Sequence, residues 1–180
     1  MSDYNQSSYA QTAPPVYPGA PQNGGAVAPS KKFAVLGIVG SLVALVGSLV
    51  NWVVSSEDMS DGGIKGMDGD GVITLIIALV ATVLFLVTLA RQKAPLYLGG
   101  GLLGAGAAIV AAINMADPAR LLAQKLEDEG LPADAAEKAA EEGVDKFDIV
   151  AGPGIYMVLA GGLLALAIGI VGFMKSRNSN

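Results

Sequence analysis

The chain has 180 residues, 52% of them hydrophobic, a formal net charge of −5, and neither cysteine nor histidine. Those two absences exclude disulfide-stapled loops, thiolate or imidazole metal sites, haem ligation through His or Cys, and imidazole acid–base chemistry. Charge is sparse (15%) and segregated: every acidic residue except Asp3 lies between Glu57 and Asp70 or between Asp117 and Asp148.

Residues 1–32 open the chain as a low-complexity tail of Ser, Gln, Asn, Ala, Pro and Gly, with Tyr4, Tyr9 and Tyr17. Such a segment buries too little apolar surface to offset its ordering entropy, so a disordered tail is expected. Pro14-Pro15-Val16-Tyr17 fits the PPxY pattern read by WW domains, a match that a Pro- and Tyr-rich composition also produces by itself.

Four apolar stretches follow, none with a charge inside it: Phe33–Val54, Val72–Leu89, Leu96–Met115 and Ile149–Met174. A helix needs roughly 17–25 residues to cross a hydrocarbon core of about 30 Å, and each stretch meets that requirement. The fold class expected is all-α, a membrane-embedded four-helix bundle. Its divisions are tail 1–32, span 33–54, acidic outer loop 55–71, span 72–89, turn 90–95, span 96–115, acidic helical outer loop 116–148, span 149–174 and C-terminus 175–180. The first span, with no small-residue cleavage site after it, reads as a retained anchor.

Orientation is read from basic pairs. Lys31 and Lys32, Arg91 and Lys93, and Lys175 and Arg177 flank span ends and should stay cytoplasmic, giving an N-in, C-in protein of the bacterial plasma membrane. Arg120, Lys125, Lys138 and Lys146 oppose this, but they lie in a long loop whose charges weigh less.

Trp52 closes the first span and reads as an interfacial anchor, its indole half in lipid. In the loop that follows, Asp68-Gly69-Asp70-Gly71 resembles part of a calcium loop but has no closing acid. Asp70 therefore reads as the N-cap of span two, with a metal ligand as the alternative. Asp117-Pro118 has the form of an N-cap and first helical residue. Two short helices should follow, Ala119–Glu129 stopped by Gly130 and Ala133–Glu142 stopped by Gly143. Ten acids against four bases make this loop strongly anionic: a solvated cap, or a docking surface for a basic partner or divalent cations.

The spans carry ridges of small residues. Span one has Gly37, Ser41, Ala44 and Ser48; span three has Gly100, Gly104, Ala108 and Ala112; span four has Gly161, Ala165 and Gly169. In lipid, helices associate by close packing, so these ridges mark helix-packing faces, either within the bundle or between molecules. Span two is bulkier and should face lipid most. Shifting span one by 63 residues superposes Gly37 on Gly100 and Asn51 on Asn114, which raises a hairpin duplication as one explanation. No ionisable residue falls at depth, where pumps, proton-coupled transporters and voltage sensors place theirs.

Trp52 after span one, Gly66-Met67-Asp68-Gly69-Asp70-Gly71-Val72-Ile73-Thr74-Leu75 at the start of span two, Gly152-Pro153-Gly154-Ile155-Tyr156 before span four and the Pro/Tyr/Gln-rich tail together resemble a loose class of actinobacterial four-span membrane proteins. The resemblance covers about residues 33–174 and implies a topology and a lineage; Asn51 stands where that class often has proline. Tetraspan junction proteins also place a tryptophan after span one, but carry paired outer-loop cysteines that this chain lacks.

The function expected is that of a non-enzymatic structural or accessory subunit of a larger respiratory or envelope complex. It would contact lipid and a membrane-protein partner or a second copy of itself, with no nucleic acid, cofactor or metal. An oligomeric channel or permease with a cation-attracting acidic mouth is the alternative, as is an envelope sensor. Catalysis is not expected, because Ser41 and Ser48 have no His, Lys or Asp in their spans to activate them.

Overall fold

The computed structural model describes residues 31–56 and 63–178. The expected disordered tail, with its Pro14–Tyr17 motif, lies outside the described residues. In chain order the elements are α1 (Lys31–Leu49), β1 (Asn51–Ser55), β2 (Ile64–Lys65), a 3-10 turn (Gly66–Asp68), α2 (Gly71–Arg91), α3 (Ala94–Ala116), α4 (Pro118–Asp128), α5 (Ala133–Phe147), β3 (Ile149–Ala151) and α6 (Pro153–Arg177). Helices α1, α2, α3 and α6 are each long and apolar enough to cross a membrane, and by length and composition they make this a multi-pass membrane protein.

Two apolar stretches are not helical throughout. The first was expected to be helix as far as Val54, yet α1 stops at Leu49 and Asn51–Ser55 is a strand; likewise Ile149–Ala151 is a strand, not the first turn of the last span. Trp52, Val53, Val54, Ile149 and Val150 are aromatic or β-branched, types that fit a pleated surface better than a helix end. Strand β1 is central in an antiparallel sheet of order β2-β1-β3, with Val53 opposite Ala151 and Val54 opposite Val150. The Gly152 N–H donates to the Trp52 carbonyl at 2.7 Å, and the Gly66 N–H to the Val50 carbonyl at 3.1 Å. The sheet thus satisfies backbone groups that would be orphaned where α1 ends.

The four long helices form a ring in the order α1, α2, α3, α6, with α1 and α3 across the diagonal. Helix α6 makes the closest crossings. A Cβ on Gly161 would stand 2.5 Å from the Gly40 carbonyl of α1, and one on Gly162 would stand 2.6 Å from the Gly104 carbonyl of α3. Consecutive residues are about 100° apart around a helix, so this glycine pair lets one helix touch two neighbours backbone to backbone. Helix α2 is held differently. Its Phe85 ring, fully buried, fills the hollow left by Gly37 on one side and Gly100 on the other.

The small-residue ridges therefore face inward, except that Ala112, the last member of the span-three ridge, is exposed. Gly37, Ser41, Gly100, Gly104, Ala108, Gly161, Ala165 and Gly169 are all buried within one molecule, while Ile73, Ile76, Leu79, Val83 and Leu86 of α2 point outward.

Beyond one end of the bundle the sheet, α4 and α5 form a cap. Its core is continuous with that of the bundle: Trp52, Val53, Ile64 and Leu121 join Ala44, Ala111 and Val158 in one apolar cluster. Helix α4 stops where Gly130 adopts φ 101°, a left-handed conformation that favours glycine. Helix α5 does not stop at Gly143, as expected, but continues to Phe147. A glycine inside a helix costs about 1 kcal/mol. Here it brings α5 close to α4, since a Cβ at Gly143 would meet Leu122 at 3.0 Å.

At the opposite end lie Lys31, Lys32, Arg91, Lys93, Lys175 and Arg177. Ser176 Oγ donates to the Gln92 carbonyl at 3.4 Å, and the Lys175 ammonium sits 5.0 Å over the Phe33 ring. The cap is anionic and the other end of the bundle cationic.

Candidate functional site

The junction between cap and bundle carries the molecule's most elaborate polar arrangement. Asp117 caps α4, its Oδ1 accepting the Arg120 backbone N–H at 3.3 Å, with Pro118 in the first helical position. That turn aims the Arg120 side chain back at the bundle, where its Nη2 lies 3.2 Å from Asp70 Oδ2. Asn114, in the last turn of α3 and fully buried, donates through Nδ2 to the same Asp70 oxygen at 3.1 Å and to the Val110 carbonyl at 2.9 Å. Side chains from α3 and α4 thus converge on one carboxylate at the head of α2.

The reading of Asp70 as a side-chain cap is corrected by this geometry. The residue stands at the N-cap position of α2 but makes no side-chain cap hydrogen bond. Its φ of −59° and ψ of −12° are helical, whereas a capping carboxylate bonds back to the helix from an extended backbone.

Trp52 is corrected as well. Its indole is fully buried in the protein, with Nε1 donating to the Gly47 carbonyl at 3.0 Å. Gly66 and Gly154 leave room for the ring, since a Cβ at Gly66 would stand 2.5 Å from Nε1 and one at Gly154 would stand 2.7 Å from the ring. The strand turns the side chain inward, so Trp52 links the two cores and does not sit in lipid.

Within the bundle, four hydroxyls form pairs between α1 and α2. Ser48 Oγ and Thr74 Oγ1 are 2.8 Å apart, and Thr82 Oγ1 donates to Ser41 Oγ at 2.9 Å. Each also has a carbonyl of its own helix within reach, as in Ser48 Oγ to Ala44 at 3.0 Å and Thr82 Oγ1 to Ala78 at 2.8 Å. A hydroxyl so placed is satisfied without water.

Three cavities open around the cap. One of about 500 Å³ lies between α4 and α5 and is edged by Asp117, Glu127, Glu137 and Glu141. A second, of about 600 Å³, has both Asp70 and Gln124 in its wall, with Asp68, Lys125, Asp128 and Glu129 around it. The third, of about 390 Å³, separates the sheet from α4 and is lined by Val53, Ile64, Leu122, Leu126 and Phe147.

Sequence reasoning missed Asn114 and Arg120 as partners of Asp70. The available signal was Asn114 itself, the one carboxamide in the third span; Arg120 was read only as a loop charge. No group of three or more acids among the described residues is arranged to hold a metal ion by itself. Comparisons with protein-family models, with curated proteins and with solved structures gave no match.

Proposed function

We propose that this protein is a non-enzymatic accessory subunit of a bacterial plasma-membrane complex, oriented with its cap outside and its basic end in the cytoplasm. The observation that carries this reading is how the molecule divides its surfaces. All but Ala112 of the ridge residues that could have served a membrane partner are used up inside the bundle. Outward faces of the spans present Ile, Leu and Val, which suit lipid. The cap is the elaborated surface, with acids of α4 and α5 edging a cavity of about 500 Å³, and a basic segment of a partner is the chemistry it fits.

A channel built from several copies is supported less well. Its polar path would have to use Ser41, Ser48, Thr74 and Thr82, and these are buried and bonded to one another between α1 and α2.

The test is solubilisation from the native membrane in mild detergent with a C-terminal tag, followed by identification of what co-purifies. A stoichiometric larger complex that dissociates as salt is raised supports the reading. A homogeneous homo-oligomer without a partner overturns it and moves attention to ion flux in liposomes.

A further inference from the structure

We propose that the basic end of the bundle is a binding surface for anionic phospholipid headgroups, carried by Lys31, Arg91, Lys93 and Arg177. This surface depends neither on what engages the cap nor on which way the chain lies in the membrane.

The ring of helices gathers these cations. One end of the bundle collects the start of α1, the end of α2, the start of α3 and the end of α6. Lys31, Lys32, Arg91, Lys93, Lys175 and Arg177 stand there, all of them exposed. Every acidic residue among those described falls between Asp68 and Asp148, toward the cap, so no described Asp or Glu side chain lies among the cations. At the other end of the spans Asp68, Asp70 and Asp117 occupy the corresponding level with Arg120.

Tertiary contacts hold the four helix ends together. Ser176 is buried, and its Oγ donates to the Gln92 carbonyl at 3.4 Å, which ties the last turn of α6 to the bend that carries Arg91 and Lys93. Gln92 has φ 49°, the left-handed conformation that ends α2 and lets α3 begin two residues later. On the other side the Lys175 ammonium, 5.0 Å over the Phe33 ring, joins α6 to the start of α1 beside Lys31. The Arg177 guanidinium lies 5.9 Å over the Phe173 ring. Contacts of this kind restrain long side chains that would otherwise lose more entropy on meeting an anion.

Charge sets the sign of the ligand, and the surface beside it sets the kind. Val35 and Leu36 lie one turn in from Lys31 and Lys32, Leu86 lies near Arg91, and Ile170 and Met174 lie near Lys175; all are exposed on the outside of the bundle. A phosphate at the level of the cations would carry its acyl chains down apolar faces that suit lipid. A soluble anion gains nothing from those faces. Each cation close to an anionic headgroup is worth about fivefold in affinity, and salt screens the effect.

The chain has no cysteine, so a dye can be placed at either end of the spans. Full-length Asn178→Cys carries it at the basic end, and Ala116→Cys, exposed at the end of α3, carries it at the cap end. Each labelled protein in neutral-detergent micelles is titrated with phosphatidylglycerol spin-labelled on its acyl chain, or with phosphatidylcholine bearing the same label, and dye quenching is measured. At position 178, phosphatidylglycerol should quench at a mole fraction about fivefold lower than phosphatidylcholine, and added salt should erode the difference. At position 116 the two lipids should be equal. In the Asn178→Cys background, Arg91→Gln with Lys93→Gln should remove part of the preference, and adding Lys31→Gln and Arg177→Gln should remove most of the rest. Lys138→Gln with Lys146→Gln changes the charge of the cap by as much as the first pair and should leave the preference intact. Buried Trp52 emission checks that each variant is folded, and the comparison of two lipids at position 178 needs none of the charge variants. Equal quenching by the two lipids at position 178 overturns the proposal. An equal preference at both ends, or an equal loss in the cap pair, also overturns it by reducing the effect to net charge. Displacement of phosphatidylglycerol by inorganic phosphate at constant ionic strength overturns it too, and assigns the cations to a soluble anion.

Discussion

Arg120 of the cap and Asp70 of the bundle are 50 positions apart in the chain and meet at 3.2 Å. The contact is asymmetric, because the guanidinium is half in solvent and the carboxylate is nearly enclosed with Asn114 behind it. Losing either residue should therefore cost different amounts. Arg120→Ala removes a half-exposed pair and should destabilise by under about 1 kcal/mol. Asp70→Ala leaves an Asn114 N–H buried without an acceptor and should cost about 1–3 kcal/mol. Thermal unfolding in detergent, followed by Trp52 emission, measures both, and equal losses would mean that the cap is not held in this way.

Phe85 supports a second prediction, because it is the one large side chain that α2 sends into the bundle between two glycines. Truncating a buried Phe to Ala costs about 3–5 kcal/mol in soluble cores, and the cavity term applies equally here. Phe85→Ala should bring most of that loss. Gly37→Ala should also destabilise, since its Cβ would stand 2.5 Å from the ring. Combining Gly37→Ala with Phe85→Leu should recover part of the deficit, and a double-mutant cycle reads the coupling directly. As a control, Gly106→Ala on the outer face of α3 meets nothing within 4 Å and should not destabilise; a gain of up to about 1 kcal/mol is expected as the helix loses a glycine.

These two sites show how far the sequence could be read. The four spans were legible because charge-free runs of that length have few other uses. Inward packing of the ridges was one of two readings, since close helix contact inside a molecule and between molecules draws on the same residues. The strands were hidden in the ends of apolar runs: Val53, Val54, Ile149 and Val150 satisfy a hydropathy window whether they are helical or extended. The Asp70 site was half legible. Its carboxylate stood out beside Gly71, but Asn114 and Arg120 reach it only because α3 and α4 meet at Asp117, a tertiary fact that no local pattern encodes.

Orientation can be tested with unusual directness, because the chain has no cysteine. Ser56, exposed at the cap, and Asn178, exposed at the basic end, are sites for single-cysteine variants. With the cap outside, a membrane-impermeant maleimide should label Ser56→Cys on intact cells and reach Asn178→Cys only after the membrane is opened. The reverse pattern would invert the proposed topology and place the anionic cap in the cytoplasm.

The hydroxyl pairs between α1 and α2 distinguish packing from conduction. Hydrogen bonds between membrane helices average about 0.6 kcal/mol, because partners remain available when the helices separate. Ser48→Ala and Thr74→Val should therefore each cost little, with a coupling near that value in the double variant. Ser41→Ala with Thr82→Val should behave in the same way. If the pairs only hold α2 against α1, reconstituted wild type and both double variants should show the same baseline ion leak in liposomes. A leak in the wild type that disappears when the hydroxyls are removed would mean that water reaches this interface. The two helices would then have to part along Ser41, Ser48, Thr74 and Thr82, and the oligomeric channel would become the better account of the molecule.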